Sequence, residues 1–85
     1  MSTYFVYILL CKDDTLYTGI TTDLKRRVFE HNASPLGARY TQGRRPVTLV
    51  YSQVFHNRSL ATQEETRIKQ LSRKEKMSLI KKVYL

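Results

Sequence analysis

"LYTGITTDLKRRVFEHN", residues 16–32, decides how this chain folds. Its first six residues, "LYTGIT", are β-prone and read as a strand. Thr22 or Asp23 then offers an N-cap side chain, and Leu24 to His31 stays helix-compatible until "NASPLG" breaks the pattern. The chain therefore passes from strand to helix within two or three residues. In doing so it lays down a tyrosine, a glycine, three consecutive cations and a histidine. A protein of 85 residues buries only a modest share of its surface, so this crowding of polar groups calls for a functional explanation.

The segment before it, "YFVYILLC" at 4–11, is almost continuously apolar, the pattern of a strand covered on both faces at the centre of a sheet. "KDDT" turns the chain, with Asp13 or Asp14 able to take an Asx or left-handed geometry, so 4–11 and 16–21 form a hairpin. Residues 32–46 hold Pro35, Gly37, Gly43 and Pro46 and read as a basic loop with at most one helical turn. "VTLVYSQVF" at 47–55 alternates as a third strand, and a helix runs from about Leu60 to Leu71, capped by Ser59 or a neighbour. Ser72 with Glu75 forms a capping box, which makes "SRKEKMSLIKKVYL" a separate last helix. The order is β-β-α-β-α-α, an α+β arrangement expected to form one domain over residues 1–85.

Charge narrows the partner. Fifteen Lys and Arg against seven Asp and Glu give a net charge of +8, which favours a polyanion such as nucleic acid. No stretch has the exposed apolar face of a membrane-surface helix. The longest apolar run, 5–11, is far short of the ~20 residues that span a bilayer, and it lacks the basic flank of a signal peptide. Cys11 is the single cysteine, which excludes an internal disulfide or cysteine-based zinc site and predicts a buried thiol. The expected setting is the cytoplasm, as a monomer, with no membrane partner and no small-molecule cofactor.

Helical geometry orders the cations. At about 100° per residue, Leu24 and Val28 form the inward stripe, Arg27 and His31 stack along its flank, and Arg26 points to solvent. A flank arginine held in this way suits bidentate binding of phosphate.

Several motifs, in order and at matching spacing, carry a resemblance across essentially the whole chain. They are "VYI" at 6–8, "YTG" at 17–19, "TTDLKRRVFEHN" at 21–32, "GARYT" at 37–41, "RRPVTLVYS" at 44–52 and "IKQLSRKEK" at 68–76. Together they resemble a GIY-YIG domain, and more narrowly the small single-domain UPF0213 proteins. The resemblance implies a small central three-stranded antiparallel sheet flanked by helices. It also implies a nuclease that breaks a phosphodiester with one divalent metal. The motif tyrosines correspond to Tyr7 and Tyr17, the turn glycine to Gly19, the helix arginine to Arg27, the histidine to His31 and the metal-binding glutamate to Glu65. Three positions depart from the family pattern: Val6 stands in place of a glycine, Asp14 where a turn glycine is common, and Glu64 where a small or apolar residue is usual.

Counting carboxylates bears on the same metal ligand. Asp13 and Asp14 lie in a turn, Asp23 at a helix start, Glu75 in the capping box and Glu30 on the exposed side beside Arg26, which leaves Glu64 and Glu65. On the helical wheel Glu64 falls among Leu60, Ile68 and Leu71, whereas Glu65 lies at the border near Lys69, where it is ordered yet reaches solvent. That favours Glu65, against the plain alternative of a Glu65–Lys69 pair worth ~0.2–0.5 kcal/mol.

Hydrolysis of a phosphodiester needs an activated water, charge stabilisation at phosphoryl oxygens and help for the leaving alkoxide. With an ordinary pKa near ~10, a tyrosine becomes a base only beside a cation. One of Tyr7 and Tyr17 would serve as base while the other orients phosphate or water, an assignment the sequence leaves open. A lone carboxylate with water suits weakly bound Mg²⁺ or Mn²⁺. His31 would assist proton transfer or bond a phosphate, and His56 receives no role. The nucleic-acid surface is expected to comprise Gly19, Lys25, Arg39, Tyr40, Arg44, Arg45 and Lys69, with Tyr40 and the loop arginines gripping single-stranded or distorted DNA. Cations at 73, 74, 76, 81 and 82 add phosphate attraction without sequence preference. Tyr4, Tyr51 and Tyr84 are expected to pack. The leading function is a metal-dependent endonuclease acting on structured, damaged or single-stranded sites of DNA, in repair or recombination. The alternative is a binding module that keeps fold and charge without turnover.

Overall fold

The computed structural model describes residues 3–84, with the side chains of 83 and 84 excepted. Met1, Ser2, Leu85 and the packing expected of Tyr84 lie outside the described residues. The elements are β1 (Tyr4–Leu10), β2 (Leu16–Thr21), α1 (Leu24–Ala33), α2 (Arg39–Gln42), β3 (Thr48–Phe55), α3 (Arg58–Lys69) and α4 (Arg73–Tyr84). The three strands form one antiparallel sheet in the order β2-β1-β3. The apolar run thus takes the centre of the sheet, as its lack of alternation requires.

Burial on both faces divides β1 by parity. Val6 and Ile8 pack with Tyr51 of β3 and with Ala61 and Ile68 of α3, while Leu79 and Ile80 of α4 close that layer from outside. Tyr7, Leu9 and Cys11 point the other way, onto Leu24 and Val28 of α1 and onto Val47. Cys11 is buried and free, and burial pushes its thiol pKa up, so it behaves as a small apolar residue. The consequence for function lies in Tyr7, which occupies a core position on a central strand.

The hairpin turn behaves as its aspartates require. Asp13 accepts from the Thr15 hydroxyl at 2.6 Å and from the Thr15 backbone N–H at 3.2 Å, closing an Asx turn. Asp14 takes the left-handed conformation with φ 71°. Both aspartates therefore carry the turn, one by hydrogen bonding and one by backbone shape.

Helix boundaries differ from expectation in two places. Asn57 caps α3 by accepting from Leu60 N–H at 2.9 Å, so the helix begins at Arg58 instead of about Leu60, with Ser59 in its first turn, and it ends at Lys69. An Asn side chain caps as well as Ser, and Leu60 in the first turn is exposed. α1 runs two residues beyond His31 to Ala33 because Asn32 is anchored to the segment entering β3. Its amide donates to the Val47 carbonyl at 3.0 Å and accepts from Val47 N–H at 2.7 Å. Asp23 caps α1 through Arg26 N–H, and Ser72 and Glu75 form the reciprocal capping box at 2.8 and 3.1 Å.

A non-glycine residue in the left-handed region carries a steric cost. Asp14→Gly is expected to raise stability by about 0.5–1 kcal/mol, checked by urea denaturation. A lower midpoint would show that the aspartate side chain outweighs its backbone strain.

Candidate active site

The site is built outward from Tyr7. β1 and β2 pair Tyr7 with Gly19, and Tyr17 lies two residues before Gly19 on the same face. The Tyr7 ring lies across Gly19 so closely that a Cβ there would meet the phenol oxygen at 2.6 Å and its ring at 2.8 Å. Gly19, expected at the nucleic-acid surface, is therefore buried, and its lack of a side chain makes room for the phenol. Tyr7 is 1% exposed, and a buried hydroxyl needs a partner.

That partner is His31, from the last turns of α1. The Tyr7 hydroxyl lies 2.8 Å from His31 Nε2, and His31 Nδ1 lies 2.8 Å from the Thr41 hydroxyl of α2. Thr41 in turn donates to the Ala38 carbonyl at 2.9 Å. Assigning the Thr41 proton to that carbonyl leaves Thr41 as acceptor from Nδ1–H. Nε2 is then the bare nitrogen, and Tyr7 donates to it. Thr41 lies within the "GARYT" motif but has no role legible in the sequence; its signal there is a hydroxyl residue four places after Gly37. His31 is fully buried. It cannot bond a phosphate, and that part of the expectation is corrected by the depth at which the α1 flank meets the sheet.

Burial sets the proton affinities. It pushes the Tyr7 phenol up to about 12, with the Tyr17 and Glu65 charges adding to the rise and the Arg27 guanidinium beside the hydroxyl opposing it. It also brings His31 down to about 4, aided by the charges of Arg27 and Arg45 and opposed by Glu30. At neutral pH the pair is a neutral phenol on a neutral imidazole.

Arg27 reaches this phenol from α1. Its Nη1 donates at 2.8 Å to Glu30 Oε1 and at 2.8 Å to the Leu36 carbonyl, which fixes the guanidinium plane. Glu30, expected on the exposed side, instead stands half-buried between Arg26 and Arg27. The other rings step outward to solvent. Tyr17 lies 5.1 Å from the His31 ring and 6.4 Å from Tyr7, and Tyr40 lies 5.8 Å from Tyr17 at the exposed end. Arg44 stacks 4.0 Å above Tyr40, donates to its carbonyl at 2.8 Å and pairs with Asp13 at 2.9 Å.

The remaining expected nucleic-acid residues separate by environment. Lys25 and Arg39 are exposed on α1 and α2. Arg45 turns inward, donating to the carbonyls of Glu30 and Ser34 and, at 2.5 Å, to that of His31. It thereby satisfies the open end of α1. Gly37 lets the loop approach, since a Cβ there would meet the Glu30 carbonyl at 2.6 Å. Lys69 pairs with Glu65 at 3.2 Å.

The two candidate glutamates also differ. Glu64 is held by both sides of Arg67, at 2.8 and 2.6 Å. Glu65 lies close enough to Tyr7 for its charge to raise the phenol pKa. Among the described residues no three His, Cys, Asp or Glu side chains cluster as a ligand set. One half-buried carboxylate fits a hydrated oxygen-seeking ion completed by water and phosphate, and does not fit a caged one.

The class defined by this sheet and its ring cluster is also found by comparison. Residues 3–78 match the GIY-YIG catalytic domain, and the chain belongs to that family. Within it, the chain is similar to UPF0213 proteins. One from Desulfotalea psychrophila is 56% identical over 78 residues, covering 92% of this chain and 71% of that protein. One from Halobacterium salinarum is 54% identical over 76 residues, covering 89% of this chain and 97% of that one. The solution structure of the UPF0213 protein from Bacillus halodurans superimposes with a TM-score of 0.61 at 46% identity, covering 93% of this chain and 83% of that one. No helix among the described residues is long and apolar enough to cross a membrane.

His31 is protonated less readily in the folded chain than in the unfolded one. Stability is therefore full above about pH 6.5 and falls as pH drops towards about 4, a loss of about 3 kcal/mol. Denaturation at pH 7 and pH 5 should show this decline in the wild type and a flatter profile in His31→Gln. Gly19→Ala is expected to cost about 1–3 kcal/mol by overpacking against the phenol, read as a lower Tm.

Proposed function

We propose that the protein is a metal-dependent endonuclease that hydrolyses DNA phosphodiester bonds at structured, damaged or single-stranded sites, as repair and recombination require. The observation that carries the proposal is that five groups from three other elements, β2, α1 and α3, converge on the phenol of β1: Tyr17, Gly19, Arg27, His31 and Glu65 all bear on Tyr7.

Tyr7 donates its own proton to His31 Nε2, which leaves lone pairs on the buried phenol oxygen that would accept from a water entering beside Arg27. With a pKa near 12 it does not wait as phenolate. The water passes a proton to the Tyr7 oxygen as the Tyr7 proton passes to Nε2. The oxygen–phosphorus bond forms as the bond to the leaving alkoxide breaks. His31, with a pKa near 4, readily returns the proton, which finally reaches the alkoxide. Tyr17, the half-exposed ring, positions the phosphate, and Arg27 neutralises its oxygens in a fixed plane. Glu65 would hold Mg²⁺ or Mn²⁺, which when bound adds positive charge at the phosphoryl group.

The Glu65–Lys69 pair favours a second reading, a nucleic-acid-binding module without turnover, because it competes with a cation for the carboxylate. Cleavage of linear, branched and single-stranded DNA across a titration of Mg²⁺ or Mn²⁺ separates the two readings. Tyr7→Phe, Arg27→Ala and Glu65→Gln are each expected to lose roughly 10²–10⁴-fold in rate, and Glu64→Gln to retain it. Binding without metal-stimulated cleavage on any substrate would establish the module.

A further inference from the structure

Arg27 has a second side. Away from Tyr7 it lines an open groove of about 350 Å³ with Arg26 and Glu30 of α1, Arg58 at the start of α3, and Tyr4 and Ile20 at the sheet's end. Arg27 is the residue shared by this groove and the ring cluster around Tyr7.

The groove is under-neutralised. Three guanidinium groups face one carboxylate, and Glu30 already bonds Arg27 at 2.8 Å while its contact with Arg26 is 3.7 Å. Arg26 is 58% exposed at its side chain, and so loose a surface pair is easily redirected. Among the described residues Arg58 has neither an ion pair nor a side-chain hydrogen bond. Two cations are therefore available to a ligand. Guanidinium forks match phosphate oxygens bidentately, and the ring and side chain at the sheet's end offer an apolar wall for a sugar edge. The volume equals roughly ten waters, enough for a phosphodiester with part of its sugar. The opening is wide, as a chain that continues past the site requires.

We propose that this groove seats a phosphate of the bound strand next to the one at Tyr7, with Arg58 as its main grip and Arg26 as its second. The strand then runs from the Tyr40–Arg44 stack, past Tyr17 and Arg27, to Arg58. This rests on the nucleic-acid reading above and adds the path of the strand. In the sequence Arg58 stands alone beside a helix cap, and only the fold brings it to α1.

The test is fluorescence anisotropy of a labelled single strand of about 12 nucleotides, in EDTA, at several salt concentrations. Arg58→Gln is expected to weaken binding roughly tenfold and to lower the slope of log K against log salt by about 0.7. Arg58→Lys should keep the slope, and Lys82→Gln, which removes one of the diffuse surface charges on α4, should lower it by clearly less than Arg58→Gln does. An unchanged slope in Arg58→Gln, or an equal fall in Lys82→Gln, overturns the proposal in favour of diffuse attraction. Retained strand binding in Arg58→Gln together with lost binding of an acidic peptide also overturns it, by giving the groove to a protein partner. If wild type binds the strand in this Arg58-dependent way yet cleaves nothing, the nuclease reading falls and the groove assignment stands. If cleavage is intact and Arg58→Gln matches wild type in KM, the reverse holds.

Discussion

One hydroxyl inside the core governs much of this molecule. Tyr7 sits on the central strand, where its neighbours Val6, Ile8 and Leu9 are fully buried, and a phenol there without a partner costs about 1–3 kcal/mol. The chain from Tyr7 through His31 and Thr41 to the Ala38 carbonyl removes that cost. It also dictates the surroundings. Position 19 has to be glycine so that the ring can lie flat, α1 has to extend far enough to present residue 31, and the short α2 has to form so that Thr41 faces inward. Hydrogen bonding in the interior and the geometry of the reactive surface are thus one requirement.

The region between α1 and β3 shows how a loop rich in cations can be ordered. Asn32 imitates a strand neighbour for Val47, Arg45 covers the carbonyl end of α1, and Arg44 is held by Asp13 across the hairpin turn. These contacts tie the segment carrying Tyr40 to both the helix and the first turn. The net charge stays at +8, but with Arg45 turned inward and Arg44 held by Asp13 it is spread less evenly over the surface than the sequence alone suggests.

The sheet was legible because its signals are local. An unbroken apolar strand, an aspartate turn, a short β-prone return and a capping box each specify their own geometry, and the β-β-α-β-α-α order followed from them. The family resemblance supplied the grouping of Tyr7, Tyr17, Arg27, His31 and Glu65, which no single periodicity contains. The depth of His31 was not legible, because a helical wheel gives direction without distance to the sheet. The inward turn of Arg45 was hidden too, since an arginine in a basic loop looks the same whether it faces solvent or a helix end. The α3 boundary was missed at Asn57 because Asn, Arg and Ser in succession offer two equally good caps, and only the register of Ala61 and Ile68 on the sheet decides between them.

The described body measures 31 × 30 × 22 Å. Along a duplex, with one phosphate per strand every 3.4 Å or so, that is about nine base pairs from end to end. A double helix laid along the body would meet it over less than one full turn, so the contact would stay on a single face of the polymer.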